Sequence, residues 1–224
     1  MQNKKTKFYK ILKKDIGEKT IKENFGINSS WKWHNDPKQF FISLARYKFV
    51  SKIIKNKKDV LEVGCSDGFN SRIVKQSVSN LDACDIDSNL IKNAKEIQSN
   101  KWNINFFLHD FLKKKLKKKF DAIYLLDVLE HIDKKNENFF LRNIAFSLKK
   151  NGLMIIGIPS LEFQKYSRPK KISGHINCKT ANDLQKTLEK YFDNVIIASM
   201  NDELVHTGFE KMSCYFFAIC TNLK

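Results

Sequence analysis

Arginine, proline and acidic residues are all scarce in this 224-residue chain, and each scarcity narrows what it can be. Arginine occurs only at positions 46, 72, 142 and 168, although Lys and Arg together number 41 against 24 Asp and Glu, for a net charge of +17. Bidentate recognition of phosphates and base edges favours Arg. A Lys-built charge accompanied by abundant Asn, Ile and Phe reads first as a compositional bias, and the densest run, KKKLKKK at 113–119, as a solvated surface between two elements. Attraction to a phosphorylated or nucleotide-linked small substrate stays compatible with that charge. No apolar run approaches the roughly 20 residues that cross a membrane. The opening MQNKKTKFYKILKK has no apolar segment behind its lysines, so it does not read as a secretory signal. Five cysteines form no CxxC pair and no His/Cys ligand spacing, which points to reduced thiols, a cytoplasmic setting and no metal.

What is present is an alternation. Apolar runs DVLEV, NLDACDI, INFFLHD, FDAIYLLD and GLMIIGIP read as five strands, separated mostly by stretches of helical period. That βαβ order predicts a parallel sheet with helices on both faces. Asn151-Gly152 is expected to end the helix before the fifth strand, with Gly152 as a left-handed C-cap. Thr180, with Asp183 three residues later, is expected to cap a helix. NVIIASM and CYFFAIC then read as an antiparallel pair at the sheet edge. Ahead of the first strand, PKQFFISLARYKFVSKIIK reads as an amphipathic helix opened by Pro37. Without a repeat or linker the chain reads as one globular domain. Residues 1–58 form an N-terminal helical segment on or over the site, and 59–224 form the core.

The first strand runs into Gly64-Cys65-Ser66-Asp67-Gly68, a strand-to-helix turn whose glycines let backbone approach a ligand. Phe69, Asn70 and Ser71 withhold the third glycine of a dinucleotide GxGxxG loop, and GK[ST] is absent, so neither common phosphate cradle fits. Asp85 ends the second strand about 20 residues on, where a carboxylate can accept both hydroxyls of a ribose. Asp110 ends the third strand, where a carboxylate can take an adenine amino group. Asp127, Glu130 and His131 follow the fourth. Ligands of open α/β sheets bind at these carboxyl ends.

In VLEVGCSDG, CDID, LHD, FDAIYLLDVLEHI and GLMIIGIP the chain resembles the class I S-adenosylmethionine-dependent methyltransferases, over roughly residues 59–221. The resemblance implies a Rossmann-like, seven-stranded, mostly parallel sheet with only the last strand antiparallel. It implies S-adenosylmethionine as cofactor, with S-adenosylhomocysteine as product, held by Glu62, Gly64, Cys65, Ser66, Gly68, Asp85, Ile86, Asp110, Phe111 and Asp127. Ser66 departs from the family, many of whose members carry a middle glycine there. DPKQFFISLARYKFVSK, PSLEFQKYS, SGHINCK and SMNDELVHTGFEKM look like segments of bacterial methyltransferases associated with sugar or surface-polysaccharide biosynthesis.

Methyl transfer needs a nucleophilic oxygen or nitrogen placed in line behind the methyl carbon, and an alcohol acceptor benefits from a base. His175 and His206 are the candidate general bases. Each has the plainer alternative of fixing its loop. His131, Asn201, Asp202 and Glu203 are candidate acceptor contacts. Trp31 and Trp33 stack on a ligand or anchor the N-terminal segment. A small-molecule O- or N-methyltransferase is the leading expectation. The alternatives are a nucleic-acid methyltransferase, which the charge favours and the absence of an NPPY-type sequence opposes, and a non-catalytic cofactor-binding protein.

Overall fold

The computed structural model describes residue 10 and residues 23–166 and 174–224. Among the described residues the sheet has eight strands in the order β3-β2-β1-β4-β5-β8-β6-β7. They are β1 (Asp59–Val63), β2 (Asn80–Asp85), β3 (Asn105–Leu108), β4 (Phe120–Leu126), β5 (Leu148–Pro159), β6 (Phe192–Asn201), β7 (Leu204–His206) and β8 (Tyr215–Leu223). Strands β1 to β5 pair in parallel. β8 lies between β5 and β6, antiparallel to both.

Two expectations need correction here. The sheet has eight strands rather than seven, because residues after β6 fold back as β7, a short antiparallel strand at the edge. β8 is therefore not the only reversed strand. Gly152 is no left-handed cap: it lies inside β5, and the preceding helix has already ended at Phe146. There the Ser147 N–H closes on Ile144 O, and the Ser147 hydroxyl bonds Leu116 O and Asn143 O. The chain turns at once and absorbs the extra residues as a register shift opposite Phe120–Ala122.

Strand alternation sends successive residues to opposite faces. Leu61, Ile123, Leu125, Ile156 and Phe216 pack on one face against α5 (Lys134–Phe146) and α7 (Ala181–Leu188), between which the short α6 (Leu161–Gln164) follows β5. Val60, Tyr124, Ile155 and Phe217 pack on the other against α2 (Pro37–Ile53), α3 (Ser71–Lys75) and α4 (Ser88–Glu96). Each fully buried Leu, Ile or Phe stabilises the fold by about 1.5–3 kcal/mol. A one-residue slip would exchange the two faces, so the sheet register is strongly specified.

Helix starts follow local chemistry. Asp36 caps α2 through Gln39 N, with Pro37 at its first position. Asp87 caps α4 through Asn89 N and Leu90 N, and Thr180 caps α7 through Asp183 N. The N-terminal helix α1 (Ile27–Asn35) begins at Gly26, which has no side chain to cap it. The core supplies the acceptors: Asn93 Oδ1 takes the Ile27 N–H at 2.9 Å, and Asp67 takes the Ser29 N–H at 2.7 Å and the Ser29 hydroxyl at 3.0 Å. A Cβ on Gly26 would stand 2.3 Å from Asp67 Cγ, so only glycine fits here. Most residues of the N-terminal segment before α1, and residues 167–173 of the polar loop after β5, lie outside the described residues. Among the described residues no helix is long and apolar enough to cross a membrane, and all five cysteines are free.

Candidate active site

A cavity of about 610 Å³ opens at the carboxyl ends of β1, β4 and β5, between the glycine turn and α1–α2. Gly64, Cys65 and Ser66 line one wall, Asn28, Ser29 and Lys32 of α1 another. Asp127, Glu130, His131, His175 and Asp202 line the remainder with Arg46 and Tyr215. Such a volume suits a small-molecule or cofactor site.

The turn is rigid for identifiable reasons. Gly64 has φ 80, and a Cβ there would meet Val128 Cγ2 at 2.3 Å. Ser66 is left-handed at φ 54, where glycine is unstrained and an L side chain costs energy. Its hydroxyl accepts Asn28 Nδ2 at 2.8 Å, an anchor for α1 that glycine cannot offer. The N–H groups of Gly64 and Cys65 go to Cys84 O, that of Ser66 to Asp85 Oδ2, and that of Gly68 to Cys65 O. Four of the turn's N–H groups are therefore spent inside the fold, which is unlike a phosphate cradle.

The predicted cofactor residues divide. Gly64, Cys65, Ser66 and Asp127 line the cavity, whereas Gly68, Asp85, Ile86, Asp110 and Phe111 do not. Asp85 lies at the same strand edge, half-buried, its two oxygens accepting the Ser66 N–H at 2.8 Å and the Asp87 N–H at 3.0 Å. A carboxylate has about four acceptor sites, so two remain for hydroxyls. Ile86 beside it is 73% exposed and offers an apolar face. Asp110 accepts Leu112 N at 2.8 Å and pairs with Lys113, while Phe111 is buried edge-on to His109. Glu62, expected to organise the turn or its ligand contacts, lies beneath the turn. It is buried, accepts the Tyr47 hydroxyl at 2.8 Å and the Tyr124 hydroxyl at 2.7 Å, and does not line the cavity. Burial raises its carboxyl, opposed by those hydroxyl bonds. It fastens β1 to β4 and α2 beneath the turn.

Asp127 turns the chain after β4 in a left-handed conformation, φ 57. Both its oxygens lie against one Arg46 nitrogen, at 2.7 and 2.9 Å, and the Arg46 guanidinium sits 3.8 Å from the centre of the Tyr215 ring. The sequence carries one signal for Arg46, an isolated arginine in a lysine-rich chain. Asp67 reads there only as part of the turn.

Two residues after Asp127 the chain enters a 3₁₀ turn, Leu129–His131. Glu130 is 0% exposed, and neither carboxylate oxygen has a hydrogen-bond partner among the described residues. Burial first, then the charge of Asp127, push its carboxyl up to about 9. The Glu130 carbonyl accepts the N–H groups of Ile176 and Asn177, and His131 Nδ1 donates to Gly174 O at 2.8 Å. These bonds lay the 174–177 loop on the turn and bring His175 to a ring-centre distance of 5.1 Å from His131. A buried set beneath holds the loop: Asn177 Nδ2 donates to Glu137 at 2.7 Å, and Lys179 pairs with Glu137 at 2.7 Å. The SGHINCK stretch thus places one histidine by means of Asn177 and Lys179.

His175 faces the cavity, and burial, then His131, lower its pKa. His206 has another task. The Gly208 N–H donates to its Nδ1 at 2.9 Å, so its Nε2 carries the proton toward Asn201 Oδ1 at 3.0 Å. Both nitrogens are engaged inside the β6–β7 hairpin, and His206 does not line the cavity. This is poor placement for a base. Asn201 also donates to Met212 O, so it shapes the same loop, while Asp202, at φ 48, lines the cavity and Glu203 lies outside it. Trp33 stands in a cluster with Phe25, Phe40 and Phe41 and anchors α1, and Trp31 is exposed. One grouping is not evident from spacing along the chain: the ligating atoms of Glu130, His131 and His175 lie within 4.8 Å of one another.

A model of the methyltransferase domain family matches residues 33–192, about seven-tenths of the chain. The chain belongs to that family, and its class is that of the class I S-adenosylmethionine-dependent methyltransferases. It is 34% identical over 99 residues to malonyl-[acyl-carrier protein] O-methyltransferase 2 of Ilyobacter polytropus, spanning 43% of this chain and 38% of that protein. It is 28% identical over 130 residues to the ubiquinone biosynthesis O-methyltransferase of Pelagibacter ubique, spanning 58% of this chain and 53% of that one. The chain spans about half or less of the length of these relatives. The solved N-methyltransferase NodS of Bradyrhizobium japonicum, in complex with S-adenosyl-L-homocysteine, has the same fold, with TM-score 0.63, 18% identity and coverage of 86% of this chain and 91% of that one.

Proposed function

We propose that this domain transfers a methyl group from S-adenosylmethionine to an oxygen or nitrogen of a small molecule, in the cytoplasm, with a sugar or surface-polysaccharide precursor as the acceptor class. One observation carries the reading: the glycine turn and the acceptor-side residues Glu130, His131, His175 and Asp202 open into one cavity. The residues fit the cofactor. A turn whose N–H groups at 64, 65, 66 and 68 are already bonded does not suit a phosphate, Asp85 keeps acceptor sites for ribose hydroxyls, and exposed Ile86 provides a surface for a flat ring. When bound, the sulfonium supplies an electrophilic methyl group. The chain's own work is placement: orienting two reactants is worth about 7–11 kcal/mol in favourable cases. Arg46 neutralises Asp127, so the wall beside the methyl path carries no net charge from that pair. Lys32 and Lys38 at the lining suit a phosphorylated or nucleotide-linked acceptor.

In this reading the described part of the 1–58 segment, from residue 23 onward, is laid on the 59–224 core, and the bonds from Asn28 and Ser29 to Ser66 and Asp67 support it. The test is a crystal structure with S-adenosylhomocysteine. The product sulfur is expected to face Glu130, His175 and Asp202 across open space. Product bound away from residues 64–66, or with its sulfur turned from that wall, would refute the proposal.

A further inference from the structure

The least settled group in the cavity is Glu130. A buried carboxylate without a donor is costly unless something compensates its charge. The charges of Asp127 and Arg46 also reach it, and two further neighbours are imidazoles already oriented by their far nitrogens. His131 Nδ1 lies 2.8 Å from Gly174 O, so it must be the protonated nitrogen, which leaves Nε2 with its lone pair 4.0 Å from Glu130 Oε1. His175 Nδ1 lies 3.3 Å from Gln164 Oε1, which likewise leaves Nε2 as the free nitrogen. A histidine whose other nitrogen donates to a carbonyl or amide oxygen is the usual arrangement behind a metal ligand. The backbone reinforces the grouping, because the Glu130 carbonyl itself holds Ile176 and Asn177 and so carries His175 with it.

We propose that Glu130, His131 and His175 bind a first-row divalent cation that faces the methyl-transfer cavity. Two imidazoles and one carboxylate form a donor set that leaves coordination positions open for water or substrate. The ligand atoms now lie within 4.8 Å of one another, and a cation at 2.0–2.1 Å from each would draw them to about 3.4 Å apart, a movement within reach of side-chain torsions. This cation deepens the methyltransferase reading and rests on it. An open position beside the methyl path selects an acceptor hydroxyl, preferably with a second oxygen nearby to share the metal. The cation would lower the pKa of that hydroxyl. The proton leaves to water at the cavity mouth, the oxygen lone pair forms the new O–CH₃ bond, and the C–S bonding pair returns to sulfur as a neutral thioether. His175 is then a ligand, and no histidine base is required.

Mn²⁺ is the probe, because the five free thiols bind it weakly compared with Zn²⁺. Metal-stripped full-length protein is titrated with Mn²⁺ while free Mn²⁺ is read by electron paramagnetic resonance, and the imidazole signals of His131 and His175 are followed by NMR. One equivalent should bind and broaden both signals. Binding should weaken at least tenfold in Glu130→Gln and in His175→Ala, with S-adenosylhomocysteine binding retained by both. No stoichiometric Mn²⁺, sharp His131 and His175 signals at saturation, or undiminished Mn²⁺ binding in both variants would overturn the proposal. Failure of the wild type to bind S-adenosylhomocysteine would instead overturn the methyltransferase reading and leave the Mn²⁺ result to stand separately.

Discussion

Removing Asp67 should release α1 from the cavity without unfolding the sheet. Asp67 accepts three donors, the Ser29 N–H at 2.7 Å, the Ser29 hydroxyl at 3.0 Å and the Phe69 N–H at 3.2 Å, and Ser29 is itself buried. Losing a helix cap costs about 1 kcal/mol, the loss of a carboxylate beside a helix N-terminus adds roughly 0.3–1 kcal/mol, and stranding a buried donor adds about 1–3 kcal/mol. Taken conservatively the docking of α1 weakens by about 3 kcal/mol, which is roughly a hundredfold shift toward an undocked helix. Hydrogen exchange reads this directly. In Asp67→Ala, amides in α1 should lose about two orders of magnitude of protection, while amides of β1 and β4 change little. Asp67→Asn, which keeps one acceptor oxygen, should recover part of it. Gly26→Ala should resemble Asp67→Ala, because the new methyl would stand 2.3 Å from Asp67 Cγ. Unchanged protection in α1, or equal losses across the sheet, would refute the idea that the core caps this helix.

Three further expectations follow from the same contacts. Glu62→Ala strands two buried tyrosine hydroxyls and should cost at least ~2 kcal/mol in urea denaturation; a loss below about 1 kcal/mol would contradict its fastening role. His206→Ala should lower the melting temperature and leave methyl transfer largely intact, since both ring nitrogens serve the hairpin; a loss of turnover comparable to that in His175→Ala would restore His206 as a candidate base. Burial pushes the Cys178 thiol up to about 11 and those of Cys65 and Cys84 higher still, so the thiolate is scarce at pH 8 and grows only as pH rises toward those values. Native protein at pH 8 should react with a thiol reagent far more slowly than free cysteine, and prompt labelling of Cys65 or Cys84 would contradict that.

The parts legible in the sequence are those governed by local pattern. DVLEV gave β1 at both its ends because a buried parallel strand is a continuous apolar run bounded by polar residues. Thr180 and Pro37 marked helix starts because capping is local chemistry. Asn151-Gly152 misled because the same pair suits a helix end or a bulged strand, and only pairing with β4 decides between them. β7 was invisible: three residues at an edge carry too little hydrophobic pattern to register. The presence of Gly64, Ser66, Asp127 and His175 at the cavity lining was readable from their places after strands or in polar loops. The tasks of Glu62 and His206 were not, because an acid or imidazole reads the same whether it faces a ligand or a tyrosine. Arg46, Asp67 and the meeting of Glu130 with His175 depend on contacts more than 35 residues apart, which periodicity does not encode.

The central claim is that this cavity is built for the methyl donor, and its most direct test is equilibrium titration of the folded protein with S-adenosylhomocysteine. Saturable one-to-one binding in the micromolar range is expected, weakened at least tenfold by Asp85→Ala and less by Asp85→Asn, which keeps one acceptor oxygen. Absence of saturable binding by the folded wild-type chain, or undiminished affinity in Asp85→Ala, would contradict the account.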